Sequence, residues 1–363
     1  MAITSFGVND ALAVKLWSKK LAVEALKATE IAPLIGEDSN SIIHRKTETS
    51  KGAGDQVTFG LRMQLSGDGF SESDTAEGNG ESLSIYSSSL VINELGHVVS
   101  AKSENTIDQQ RVPFDLREEC KDGLADWWAK RMSVTFFNQV CGMTATSGTG
   151  YPTSSKYTGL NAAVAPTAST RIIRSGSQAT DEALTSSNTF TLDLIDKAKE
   201  MAKVATPQIR PILMGNRKKY VMYLHPYQVT DLRTNTSTGQ WLDIQKSAMM
   251  GGDISKNPIY SGALGEYNEV ILRESHDVTV GVHSSTAATE TDVRRAVLLG
   301  AQSAVMAFGQ KNSPGKYRWN EELFDHKRRL EVSAWSIFGM KKTVFNSTDF
   351  GTVVVATYAA AHT

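Results

Sequence analysis

The chain has 363 residues, 40% of them apolar and 21% charged, with Lys plus Arg (38) nearly equal to Asp plus Glu (39). That length and balance describe one or two folded domains with a substantial core, and they exclude intrinsic disorder. A net charge of −1 leaves no global positive field, which argues against a dedicated nucleic-acid binder but not against a shell that encloses nucleic acid.

Residues 1–50 read as an arm. Met1-Ala2-Ile3-Thr4 lacks the charged region and apolar core of a signal peptide, and no window reaches the length of a membrane span, so a soluble protein made in a cytoplasm is expected. Asn9-Asp10 caps a predicted helix running to about Ala28, with Trp17, Leu21 and Leu26 as apolar contacts, and Pro33 and Gly36 stop it. An ordinary first helix of a domain and an arm reaching a neighbour both fit.

Lys51 to Asn93 is rich in glycine, serine and acid, and carries no helical pattern. Short alternating segments, Gln56-Val57-Thr58-Phe59, Leu61 to Leu65, Leu83 to Tyr86 and Leu90-Val91-Ile92, flank Ser66-Gly67-Asp68-Gly69 and Ala76-Glu77-Gly78-Asn79-Gly80-Glu81. Structureless loops this long are uncommon inside compact domains, so the segment reads as a two-stranded arm projecting from the body. An isolated hairpin is marginal in water and needs a surface to lie on, for which another copy of the chain is the natural supplier.

Phe114 to Val140, opened by Pro113 and terminated by Gly142, reads as one helix of roughly 40 Å. Leu116, Cys120, Leu124 and Trp127 mark one apolar stripe, and Met132, Phe136 and Val140 another. Trp127 and Trp128 point about 100° apart, so one faces the layer beneath and the other faces solvent or a neighbour. Cys120 and Cys141 lie about 30 Å apart along that helix at roughly 1.5 Å per residue, which excludes a bond between them and fits free thiols.

Residues 142–188, rich in Gly, Ser, Thr and Ala, read as a loop or hairpin excursion. An amphipathic helix follows over Leu192–Val204, then a buried strand Tyr220–Leu224 ended by His225-Pro226, a short helix from Pro226 to Arg233, and another over Gln240–Met249. Val270–Leu272, Val278–Val280, Ala296–Leu299, Arg328–Thr343 and Gly351–Tyr358 read as strands. The class is α+β, without a βαβαβ rhythm or an internal repeat.

The chain carries few motifs of chemistry. Gly52-Ala53-Gly54 lacks the third glycine and following helix of a dinucleotide site, and no Gly-x4-Gly-Lys-Ser/Thr run occurs. The seven histidines are scattered without ligand spacing, there is no Cys-x-x-Cys, and no Gly-x-Ser-x-Gly elbow exists. His225 reads as structural, Glu118-Glu119 as a solvated helix face, and the cysteines as packing residues. Neither a cofactor nor a metal is called for. Lys327, Arg328 and Arg329, with Lys341-Lys342 nearby, form the one local basic cluster; it reads as surface charge balanced by Glu321, Glu322, Asp325 and Glu331, or as a weak contact to enclosed nucleic acid. A hydrolase or transferase built from Asp55, Glu77 and His97 is the competing enzymatic reading.

A series of motifs carries a resemblance: Trp17, Gly52-x-Gly54-Asp55-x-Val57-Thr58-Phe59, Leu61-Arg62, Leu65-Ser66-Gly67-x-Gly69, Glu77-Gly78-Asn79-x-Glu81, Gln110-Arg111, Phe114-Asp115-Leu116-Arg117 and Leu124-x-Asp126-Trp127. In this order they resemble the major capsid proteins of tailed bacteriophages of the podovirus type, densely over residues 9–142 and in element order beyond. The resemblance implies the tailed-phage and herpesvirus capsid fold: an N-terminal arm over 1–50, an extended loop over 51–100, a peripheral domain with its spine helix over 101–188, an axial domain over 189–320, and C-terminal strands over 321–363 returning to the peripheral domain. It also implies hexamers and pentamers of an icosahedral shell around double-stranded DNA. Partners would be a scaffolding protein, a portal and a decoration protein, with no membrane, and assembly would occur in the host bacterial cytoplasm. A cellular nanocompartment of the same fold that packages an enzyme is the alternative.

Within this reading, Gly52, Gly54, Gly67 and Gly69 are hinges of the inter-subunit arm, and Glu77, Gly78, Asn79 and Glu81 form its tip. Leu116, Leu124, Trp127 and Trp128 pack the spine helix, and Lys327, Arg328 and Arg329 are the candidate DNA-facing patch.

Overall fold

The computed structural model describes residues 31–47, 54–62, 65, 67–72, 74–75, 77–103, 106–148, 159–214, 217–235, 237, 265–309 and 318–362. The helices expected over 9–28 and 240–249 lie outside the described residues. In chain order the strands and helices are β1 (Ile35–Gly36), β2 (Ile43–Lys46), β3 (Gln56–Arg62), β4 (Ile85–Val91), β5 (Asn93–Lys102), α1 (Ile107–Arg111), α2 (Leu116–Val140), β6 (Ile172–Arg174), α3 (Leu192–Val204), β7 (Ile212–Met214), β8 (Arg217–Leu224) and α4 (Pro226–Thr234). They continue with β9 (Glu266–Tyr267), β10 (Val270–Glu274), β11 (Val280–Val282), β12 (Thr289–Leu299), β13 (Ala304–Phe308), β14 (Arg318–Phe324), β15 (Arg329–Lys342), β16 (Val344–Phe345), β17 (Thr348–Asp349) and β18 (Thr352–Tyr358).

Two sheets and one long helix organise these elements. The six-stranded sheet runs β1-β2-β13-β15-β14, with β5 on β15, and the eight-stranded sheet runs β6-β18-β12-β8-β10-β9, with β11 on β12 and β7 on β8. Strand β15 alternates strictly at its start: Leu330, Val332 and Ala334 are buried in the core that holds the helix, while Arg329 and Glu331 face away.

Helix α2 is the axle between the sheets. Asp115 caps it through an N–H···O bond from Arg117 (2.8 Å), and Gly142, at φ +67°, ends it. Leu116, Cys120, Leu124, Trp128, Met132, Phe136 and Val140 are buried at intervals of four. Each such step drifts about 40° around a helix of 3.6 residues per turn, so the stripe winds from one side to the other. That winding suits the environment: the first half lies on one sheet, and from Met132 to Val140 every residue is buried. Phe137 meets Tyr223 of β8 edge-to-face (5.3 Å), and Trp128 meets Phe338 of β15 (6.0 Å), so one core spans both sheets.

Three expectations are corrected. Trp128, not Trp127, continues the buried stripe: the four-residue step from Leu124 places it in the core, whereas Trp127 is only half-buried at the edge of the same sheet. The chain leaves the eight-stranded sheet at Leu299 rather than near 320: a turn tied by Gln302 N–H to Ser41 O (2.7 Å) sends β13 into the six-stranded sheet. Strand β18 in turn joins β12 and β6 of the eight-stranded sheet, not the six-stranded one, because its continuously buried Thr352–Ala356 run needs cover on both faces.

The described part of 142–188 is not an outward excursion. Buried Asp181 accepts from Arg295 Nε (2.8 Å), Arg174 Nε (2.7 Å) and Val282 N–H (3.1 Å), and Arg295 also donates to Gly142 O (2.8 Å) at the end of α2. Burial works to raise the Asp181 pKa, and Arg295, Arg174 and the Val282 N–H together hold it below the usual carboxylate value. Arg171 donates to Asp349 O (2.7 Å) and Pro207 O (2.6 Å), pinning the same segment at a second point.

Candidate functional site

The hairpin β3–β4 is the feature that the interior does not explain. Its register pairs Gln56 with Val91 and Arg62 with Ile85. At about 3.4 Å per residue its seven-residue strands run roughly 24 Å. The root is rigid. Val57, Leu90 and Ile92 are buried against Val305 and Ala307 of β13, and Phe59 meets Phe345 edge-to-face (5.9 Å).

Asn161 clasps the end of β4 like one more strand, accepting from Val91 N–H (3.0 Å) and donating to Val91 O (2.8 Å), while Gln139 of α2 donates to Asn161 O (2.7 Å). Lys341 donates to Ser89 O (2.9 Å), and β15 approaches so closely that a Cβ on Gly339 would lie 2.3 Å from Val91 O. The expectation that these strands complete their packing only on another copy is therefore corrected for the root. The cross-strand pair Val57 and Leu90, on one face of the hairpin, reaches the chain's own sheet.

Among the described residues the outer half has no such partner. Leu65, Phe70, Leu83 and Ile85 are 50–64% exposed. The tip is held by its own polar groups instead: Gly67 N–H donates to Glu81 Oε2 (2.8 Å), Ser71 N–H and hydroxyl both donate to Asp74 Oδ2 (2.8 and 2.5 Å), and Asn79 donates to Thr75 O (2.9 Å). The Ser71 bonds lower the Asp74 pKa. Of the predicted hinges and tip residues, Gly54 sits at the root with φ +138°, Gly69 and Gly78 take φ +81°, and Gly67 instead serves the Glu81 bond; Glu77 is exposed. Gly52 lies outside the described residues.

The helix residues separate into roles. Leu116 and Leu124 are core, and Trp128 donates its indole N–H to Ala334 O (3.3 Å) on β15. Trp127 is half-buried, stacked on His97 of β5 (4.5 Å between centroids) with Arg131 over its ring (4.7 Å). Burial, then Arg131, lowers the His97 pKa.

The basic cluster divides too. Lys327 and Arg328 are exposed on the β14–β15 turn, whereas Arg329 is engaged with Phe324 (5.0 Å) and Glu331 (3.1 Å).

The residues of the enzymatic reading lie on different elements: Asp55 before β3, Glu77 at the hairpin tip and His97 on β5 against Trp127. Among the described residues no group of three or more His, Cys, Asp or Glu could hold a metal. His225 caps α4, accepting from Tyr227 N–H (3.2 Å); burial, with Arg294 and His276, pushes its pKa down to about 3. Burial pushes Cys141 up to about 11, so its thiol stays protonated and inert. Sequence reasoning missed Asn161 and the Asp181–Arg295 pair. Two adjacent arginines, Arg294 and Arg295, inside the otherwise apolar run Val293 to Leu299 were the available signal for the second.

A family model for phage capsid protein matches residues 5–361. Among solved structures, the chain is similar to the capsid of Ralstonia phage GP4, with 29% identity, 99% of both chains covered and a TM-score of 0.79. It is also similar to the capsid asymmetric unit of cyanophage Pam1, with 23% identity, coverage of 96% of this chain and 97% of that one, and a TM-score of 0.73. The acid-stable capsid of Helicobacter pylori bacteriophage KHP30 shares the fold at 16% identity, 98% and 99% coverage and a TM-score of 0.66. No curated protein matches the chain in sequence. The mixed two-sheet architecture with its long helix is the tailed-phage capsid fold.

Proposed function

The chain belongs to the phage capsid protein family, and from that premise we propose that it is the major subunit that self-assembles into the hexamers and pentamers of an icosahedral shell enclosing double-stranded DNA. One observation carries the reading: a hairpin whose root is locked into the chain's own core, while its outer half presents Leu65, Phe70, Leu83 and Ile85 to solvent. Two-stranded ribbons do not sustain themselves in water, so this half completes its packing on a neighbouring copy. A subunit closing a ring by heterologous contacts must offer two different complementary surfaces, and a rigidly rooted arm supplies one of them.

In this reading α2 and the six-stranded sheet form the peripheral domain, the eight-stranded sheet forms the axial domain, and the arm glycines let one sequence serve pentamers and hexamers. The role is structural, with scaffolding, portal and decoration proteins as partners and assembly in the host cytoplasm. Lys327 and Arg328 supply a weak, non-specific contact to the packaged DNA. Deleting Gly67–Glu81 tests the central element. The expected product is a folded chain that no longer gives capsomers or shells by size exclusion and negative-stain microscopy; normal shells from the deletion would refute it.

A further inference from the structure

Charge is distributed along this chain in two mirror-image stretches. From Met63 to Ala101 there is no Lys or Arg, and the exposed arm carries Asp68, Glu72, Asp74, Glu77 and Glu81. From Met201 to Thr230 there is no Asp or Glu, and apart from Lys203, on α3 and paired with Glu269, the Lys and Arg residues fall on or beside the short hairpin β7–β8. Arg210, Arg217 and Lys218 are exposed there, and no ion pair involves them among the described residues; Lys219 alone is paired, with Glu266 (2.5 Å).

The same hairpin exposes apolar surface, with Leu213 at 54% and Met214 at 52%. Its position is nonetheless fixed. Asn40 accepts from Leu213 N–H (2.7 Å) and donates to Leu213 O (2.8 Å), and Ala301 N–H donates to Arg210 O (2.8 Å). A firmly held projection that presents unpaired cations beside two exposed apolar side chains is built to meet a surface of the opposite character. The arm tip is acidic and lined by Leu65, Phe70 and Leu83.

We propose that the acidic outer half of β3–β4 docks on the basic, apolar β7–β8 hairpin of a second copy of this chain. The inference rests on the assembly reading above and names the partner surface of the arm. Apolar contact between Phe70 or Leu83 and Leu213 or Met214 would supply the packing that the ribbon lacks. The unpaired charges would fix register and exclude wrong partners, since like charges brought together there repel. The separation of the two signs into two surfaces also discourages each surface from pairing with its own kind.

The test is a charge swap in the full chain. Arg217→Glu with Lys218→Glu, and separately Glu72→Lys with Glu77→Lys, leave the tip bonds of Asp74 and Glu81 untouched. Each pair of changes is expected to reduce shell yield at least tenfold at low salt while the unassembled chain keeps its melting temperature; combining all four should restore yield to within about threefold of the parent. Unchanged yield in the hairpin variant, or no rescue in the combination, overturns the pairing. Loss of assembly on deleting Gly67–Glu81 would then leave the arm reading intact, whereas shells from that deletion would overturn both. Should a reversal variant fail to fold, Leu83→Cys with Met214→Cys replaces it. Mild oxidation of assembled shells should give covalent oligomers on a non-reducing gel, and a purely monomeric band contradicts the pairing.

Discussion

The second half of α2 and the outer half of the β3–β4 hairpin are opposite solutions to the same problem. From Met132 to Val140 the helix buries every residue, with Phe137 against the eight-stranded sheet and Trp128, about two and a half turns before it, against the six-stranded one. The described residues of the hairpin beyond Leu61 bury almost nothing and are held in shape by their own serine, asparagine and carboxylate groups. The first region satisfies its apolar surface within one chain, and the second leaves it to be satisfied between chains. The contrast separates stability from assembly: substitutions in one should act on folding, and substitutions in the other on association.

The strongest break of this contrast lies in the interior. Asp181→Ala leaves the buried Arg295 and the half-buried Arg174 without their carboxylate. It should cost about 3–5 kcal/mol in chemical denaturation of the unassembled chain; a loss below about 1 kcal/mol would show that the network does not hold the segment. Leu90→Ala, at the arm root, should cost about 2–5 kcal/mol and lower shell yield as well, because it loosens the joint between the two regions. Equal stability with lost assembly would move the root to the intermolecular side of the comparison.

Acid sharpens the interior half. The pKa of His225 is about 3 in the folded chain, and near 6.5 when unfolded. Between these values the unfolded chain binds the additional proton, so stability rises with pH across the window and is lost as pH falls, at up to ~1.4 kcal/mol per pH unit. His225→Asn keeps a side-chain acceptor at the helix cap and should flatten that slope between pH 6.5 and 5, measured by denaturant titration at several pH values; an unchanged slope would assign it elsewhere. The smallest effect belongs to the tip. Glu81→Gln weakens one exposed bond to Gly67, so stability should shift by less than ~1 kcal/mol, and any larger change in shell yield would mark tip order as an assembly requirement.

Much of this division was legible in the sequence. The hairpin announced itself through glycine and acid density between alternating apolar pairs, and α2 and α3 through their periodicity. Leu192–Val204 matches residue for residue. What stayed hidden depends on contacts between distant segments. Trp127 and Trp128 are both plausible core residues until the winding of the four-residue stripe selects Trp128. Residues 159–188 read as loose because composition cannot show that Asn161, Arg171 and Asp181 find partners at Val91, Asp349 and Arg295. Strand β14, whose residues are mostly exposed, lacks any apolar alternation, and its pairing with β15 carries it. The candidate patch Lys327-Arg328-Arg329 is contiguous in sequence and divided in space. Its third member is spent on Phe324 and Glu331.

Hydrogen exchange measured on the unassembled chain and on purified shells tests the central claim most directly. Amides of Met132–Val140 should be strongly protected in both states. Amides of the described residues between 65 and 85 should exchange rapidly in the free chain and slow by at least a hundredfold in the shell. Fast exchange of the arm in both states, or full protection already in the free chain, would contradict the account.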